Sequence, residues 1–140
     1  MPEWNVFNEH CPTRLVLSRI ADKWTVMICV RLSQRTMRFG ELRRDIAGIS
    51  QKMLTQSLRA LERDGLVARK VYAEVPARVE YSLTPLGKTL VRLLVDIKDW
   101  AEANIESVLA AQQAYDRAQA APEEASPGPG RMIRLTSRAA

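Results

Sequence analysis

Gly65 divides this sequence between two incompatible periods. Before it, "SQKMLTQSLRALERDG" places Leu54, Leu58 and Leu61 at helical spacing, with Lys52, Gln56, Arg59 and Arg63 on another face. After it, "LVARKVY" alternates Val67, Arg69 and Val71 against Ala68, Lys70 and Tyr72. "RVEYSLT" then alternates Val79, Tyr81 and Leu83 against Arg78, Glu80 and Ser82. A helix of period 3.6 must therefore stop at the glycine and hand over to two strands joined by the short, proline-bearing "AEVPA". A lone hairpin is marginal in water, so this one has to lean on helices.

The stretch upstream supplies them. "TRLVLSRIA" (13–21) has Leu15, Val16 and Ile20 on an apolar side and suggests a short helix. "DKWTVMICVRLSQ" follows, with Asp22 as N-cap and Trp24, Met27, Ile28 and Leu32 expected inward. A polar break over 33–36 separates it from "RFGELRRDIAG", where Phe39, Leu42 and Ile46 form an apolar seam. Gly48 is a C-terminal stop, and Ser50 is placed to cap the leucine-bearing helix. Downstream, Thr84-Pro85 signals a new helix. Its apolar stripe runs from Leu86 through Leu90, Leu94, Ile97 and Ile105 to roughly Tyr115. Thirty helical residues extend about 45 Å at ~1.5 Å per residue. That is more than so small a domain covers, so a second subunit is expected on the distal half. The expected organisation is an N-terminal arm (1–10), a domain over 11–117 and a disordered tail (118–140) rich in Pro and Gly.

Charge and composition narrow the function. The 140 residues carry a net charge of +5, and between Cys11 and Trp100 there are 17 Lys and Arg against 9 Asp and Glu. A basic domain points to polyanions, nucleic acid first. No run of about 18 apolar residues exists, so no membrane span is expected. The N-terminus has an early Glu3 and no apolar segment, unlike a secretion signal. Two cysteines, Cys11 and Cys29, make no disulfide framework, which favours the cytoplasm. Catalysis is not expected: His10 is the only histidine, and glycine-rich phosphate loop, nucleophile elbow and paired carboxylates are all missing. His10 and Cys11 lack further metal ligands at any usual spacing, and neither metal nor cofactor is expected.

Helices followed by a hairpin make the winged helix-turn-helix plan: a mainly α fold with a small β-hairpin and a long C-terminal dimerisation helix. In it the helix before the hairpin enters the major groove of duplex DNA. The outer face of that helix carries Gln51, Lys52, Thr55, Gln56 and Arg59, with Ser50 at its start. Glutamine can pair with adenine, Arg and Lys with guanine, and Thr55 offers a methyl to thymine. A merely solvated face mixes both charge signs, yet no acidic residue lies between Ser50 and Leu61. Arg38, Arg43 and Arg44 are candidate phosphate contacts, with pairing to Glu41 or Asp45 as the alternative for each. Arg78 on the hairpin either reaches a minor groove or phosphate, or pairs with Glu74.

In order and spacing, several motifs together resemble the HxlR-type winged helix-turn-helix regulators of bacteria. They are "CP" at Cys11, "KWT" at Lys23, "RFGEL" at Arg38, "GISQKMLTQSLRALERDGLV" and "YAEVPARVEYSLTPLG", and they span roughly Cys11 to Trp100. The resemblance implies a homodimer on a pseudo-palindromic operator, joined through the long C-terminal helix and the N-terminal segment. It also implies a candidate sensor of oxidants or electrophiles at Cys11, since a thiolate there is the reactive species. Arg14, or a protonated His10, would support that thiolate. The alternative is a cysteine that merely packs the N-terminus. Cys29 lies in an apolar stretch and suits a core better than a switch. A MarR-like regulator and a protein-binding adaptor on the same fold are the rival readings.

Overall fold

The computed structural model describes residues 3–120 and holds five helices and three strands among them. Helix α1 (Thr13–Ile20) and helix α2 (Lys23–Gln34) are followed by a two-residue strand β1 (Met37–Arg38). Helix α3 (Phe39–Asp45), helix α4 (Gln51–Arg63), strands β2 (Val67–Tyr72) and β3 (Arg78–Leu83), and helix α5 (Pro85–Ala120) complete the order. The chain divides into one compact unit through Glu102 and a second from Ala103. The last residues of the expected tail, 121–140, lie outside the described residues, whereas 118–120 are helical.

Helices α2, α4 and α5 begin at a short polar side chain that caps them, and α4 ends on a glycine. The Asp22 carboxylate accepts from the Trp24 N–H at 2.7 Å, and the Ser50 hydroxyl accepts from the Met53 N–H at 3.1 Å. Each satisfies a donor that a helix N-terminus otherwise leaves unbonded. Helix α4 closes on Gly65 at φ 78°, which lets the Gly65 N–H reach the Glu62 carbonyl at 3.0 Å and the Leu66 N–H the Leu61 carbonyl at 2.9 Å. Both orphan carbonyls are thereby bonded, and the chain turns directly into β2. Thr84 caps α5: its hydroxyl accepts from the Gly87 N–H at 3.0 Å and donates to the Gly65 carbonyl at 2.6 Å.

The sheet differs from the expected hairpin. It has three antiparallel strands in the order β1-β3-β2, with Met37 opposite Tyr81 and Arg38 opposite Glu80. Two residues are too few to show an alternating period, which is why β1 does not stand out from the polar break before it. Its effect is large: Met37 is buried at 1% exposure and ties the wing to the helices.

Leu54, Leu58 and Leu61 of α4 are sealed against Ile28, Leu32, Leu42, Ile46, Val67, Leu83 and Leu94 in one core. On α2 the expected inward set is corrected at one position. Met27 stays exposed while Thr25 and Cys29 are buried, because the buried stripe passes through 25, 28, 29 and 32. On α1 only Ile20 packs on the core; Leu15, Val16 and Leu17 face outward. On α5 Leu94 is fully buried, but Leu86, Leu93 and Ile97 are exposed. In the second unit Ile105, Leu109 and Tyr115 are exposed as well.

Candidate nucleic-acid interface

Three helices and a wing place one face of α4 outward. The leucine stripe fixes the rotation of the helix, since the three buried side chains leave the opposite side to solvent. Gln51, Lys52, Gln56 and Arg59 are exposed and Thr55 is half-buried. Ser50 is exposed too, but its oxygen already accepts from the Met53 N–H. Ser50 is therefore first a cap, with its hydroxyl proton still free to donate.

The acids nearest this face are engaged. Glu62 pairs with Arg69 at 3.4 Å, and Asp64 with Arg19 of α1 at 2.6 Å. Among the described residues Lys52 and Arg59 have no ion-pair partner, so this face keeps its positive charge. Arg43 and Arg44 are also exposed and unpaired there. Glu41, on the same short helix, is committed elsewhere: it accepts from the Arg38 backbone N–H at 2.8 Å and pairs with Arg35 at 3.3 Å. That backbone bond, with help from the Arg35 and Arg38 charges, holds the Glu41 carboxyl below its ordinary range. The Arg38 guanidinium thus neighbours an anion of its own helix.

Arg78 takes the paired arrangement. Its guanidinium sits 3.3 Å from Glu74, 3.5 Å from Glu80 and 3.8 Å above the Tyr72 ring. The Tyr72 hydroxyl in turn donates to Glu80 at 3.0 Å. An arginine flanked by two carboxylates and an aromatic face is held by its own wing.

At the N-terminus Cys11 is buried, and its sulfur accepts from the Thr13 hydroxyl at 3.1 Å and the Asn5 N–H at 3.4 Å. The Thr13 hydroxyl, then the Thr13 and Asn5 backbone N–H groups, hold this thiol below its ordinary value. Arg14 and His10 contribute nothing to that shift, and His10 lies instead beside Glu9 at 3.4 Å. The sequence signal for Thr13 is its place two positions past the cysteine, within bonding reach of the sulfur. Burial pushes the Cys29 thiol up to about 11. Among the described residues no three His, Cys, Asp or Glu side chains come together as metal ligands do. No helix there is long and apolar enough to cross a membrane.

A helix-turn-helix with an antiparallel wing, its second helix rotated by three leucines, defines the chain as a winged-helix transcription regulator. The HxlR-like helix-turn-helix model matches residues 19–108, and the chain belongs to that family. The uncharacterized HTH-type transcriptional regulator YtfH of Escherichia coli K12 is 49% identical over 110 residues, covering 79% of this chain and 87% of YtfH. The solved structure of YtfH from Salmonella typhimurium is 48% identical with a TM-score of 0.75, covering 79% of this chain and 99% of that one. The redox regulator HypR in its reduced form is 40% identical with a TM-score of 0.65, covering 71% of this chain and 98% of that one.

Proposed function

We propose that this regulator binds duplex DNA in a sequence-specific manner as a homodimer, with α4 in the major groove. The observation that carries this reading is the acid-free outer face of α4 standing on three buried leucines. Gln51, Lys52, Thr55 and Gln56, nearest the helix start, address base edges, and Arg59 follows behind them. Arg43 and Arg44 of α3, unpaired among the described residues, contact phosphates, and Arg38 lies at the N-terminal end of that helix. Arg78 braces the wing from within.

The homodimer is supported by apolar side chains that the described fold leaves uncovered: Leu15, Val16 and Leu17 on α1, and Leu93, Ile97, Ile105 and Leu109 on α5. Exposed apolar surface of this kind marks an association site. Two recognition helices about 34–36 Å apart would then meet successive major grooves of a pseudo-palindromic operator. Cys11 is the proposed effector site, responding to an oxidant or a small electrophile. Support comes from its hydrogen-bonded sulfur and from the likeness to a redox regulator. Cys29, buried and with its thiol pushed up, does not suit a resolving role. The cytoplasm is the compartment where such a protein meets DNA.

A gel-shift with the duplex upstream of the chain's own gene, at several salt concentrations, tests the reading. Binding should fall linearly in log affinity against log salt, by about 0.9 per phosphate neutralised. Arg59→Ala and Gln56→Ala should each weaken binding by about 1–3 kcal/mol while leaving folding intact. A protein that ignores duplex DNA, or binds it without regard to salt, is an adaptor and not a regulator of this kind.

A further inference from the structure

A groove of about 460 Å³ separates the outer face of α4 from the sheet, with Thr55, Arg59, Glu62, Arg69 and Tyr81 on its walls. Arg69 and Tyr81 are direct partners across β2 and β3, so their side chains stand on the same sheet face. Arg59 and Glu62 are one helical turn apart on the facing helix. Among the described residues the Tyr81 hydroxyl has no hydrogen-bond partner. Burial, opposed by the Arg69 and Arg59 charges and reinforced by Glu62, pushes its phenol above the ordinary value, so it stays a donor at neutral pH. Two guanidiniums and a hydroxyl donor therefore line one groove that holds a single carboxylate, with Phe39, Leu58 and Val79 forming its apolar part.

We propose that this groove seats one backbone phosphate of the duplex, held by Arg69, Tyr81 and Arg59, and that Glu62 is an internal counter-ion the phosphate displaces from Arg69. The inference rests on the duplex-binding reading and adds a contact to it. A helix lying in a groove about 12 Å wide has phosphates along both its sides. The groove between α4 and the sheet opens on the same helix face as Thr55, so the strand passing on the wing side runs over it. Glu62 engages Arg69 at 3.4 Å while both side chains are nearly half exposed, a pair weak enough to exchange for a phosphate that accepts from both guanidiniums. With Glu62 on Arg69 the site carries only the Arg59 charge, and turning Glu62 away exposes the second guanidinium as well. Glu62 thus tempers binding to every sequence alike, which leaves discrimination to the base-reading residues at the other end of α4.

Phosphate contacts carry no sequence information, so the test uses a mixed-sequence duplex and measures anisotropy across a salt series with the full-length protein. Arg69→Ala should reduce the slope of log affinity against log salt by about 0.9, one phosphate's worth. Glu62→Gln should tighten binding about two- to fivefold, and Tyr81→Phe, which keeps the ring, should weaken it about two- to tenfold. Combining Arg69→Ala with Glu62→Gln should recover part of the loss, because the stranded carboxylate is removed with its partner. Urea unfolding of each variant controls for the pair's structural share, which does not move a salt slope. Inorganic phosphate replacing chloride at equal ionic strength should leave duplex binding unchanged. Displacement by it would mean that the site takes a free anion. Wild-type slope in Arg69→Ala together with wild-type affinity in Glu62→Gln overturns this inference alone. Absence of salt-dependent binding by the unaltered protein overturns both it and the reading beneath it.

Discussion

Arg78→Ala separates two roles for the wing arginine. In the structure the guanidinium stacks on Tyr72 at 3.8 Å and lies 3.3 Å from Glu74 and 3.5 Å from Glu80. A cation over a partly exposed aromatic ring contributes about 0.5–1 kcal/mol. The Glu74 pair, with its carboxylate half in water, adds at most a few tenths of a kcal/mol, and the Glu80 pair somewhat more. Against these stands the geometry of the Arg78 Nε, which is buried and lies 3.5 Å from Glu80 as an ion pair without forming a hydrogen bond, so that the Glu80 contact gives less than its full worth. Net destabilisation by alanine should be about 1 kcal/mol, since Glu80 keeps the Tyr72 hydroxyl as a donor after the arginine is gone. Arg78→Lys should lose about half of that, for it keeps charge but not the planar stack. The assay is urea unfolding by far-UV circular dichroism at fixed protein concentration, because association shifts an apparent midpoint. Alongside it, the salt slope of duplex binding should stay at the wild-type value. An unchanged midpoint with a slope lower by about 0.9 would refute the brace and place Arg78 on a phosphate.

Four further outcomes follow from particular contacts. Gly87→Ala should cost about 1–3 kcal/mol in the same unfolding assay, because a methyl there would collide with the Leu66 backbone carbonyl, which cannot rotate aside. Ser50→Ala should lose about 1 kcal/mol through the missing cap on Met53, and Ser50→Asp should restore the stability. Thr13→Val should raise the pH at which Cys11 reacts with iodoacetamide, read from alkylation rates, since the hydroxyl that stabilises the thiolate is gone. Cys29 has a folded-state value raised to about 11 from 9.0, so the native protein keeps its proton longest and the associated stability, full below pH 9.0, declines as pH rises to about 11. Cys29→Ala should flatten that alkaline decline, seen in unfolding midpoints compared across the same pH range.

The parts of the fold legible in the sequence are those where one residue type enforces one geometry. Asp22, Ser50 and Thr84 cap helices because their short oxygens reach the first free N–H groups. Gly65 ends α4 because only a residue free to take φ 78° bonds both terminal carbonyls. Strand β1 is not legible in this way. Its two residues owe their strand conformation to β3, a partner more than forty positions away, and nothing in "TMRF" announces that pairing. Met27 departs from its expected place for a related reason. Four apolar residues in a row, from Met27 to Val30, fit more than one helical rotation, and only the neighbours choose the one that buries Cys29.

The site divides along the same line. The outward face of α4 follows from its leucines alone, because burying three residues of one stripe leaves only one orientation for the rest. Whether a given arginine on that surface is free is a question about its neighbours in space. Arg43 and Glu41 stand two positions apart, yet Glu41 is drawn to Arg35 and to the backbone of Arg38, and Arg43 is left unpaired among the described residues. Arg69 is, in the sequence, one alternating residue of a strand among several; only the fold brings Glu62 and Tyr81 against it. Charge in sequence sets how much positive potential the domain carries. The pairing set by packing decides which cations remain to meet a phosphate, and it is on those residues that substitutions will discriminate.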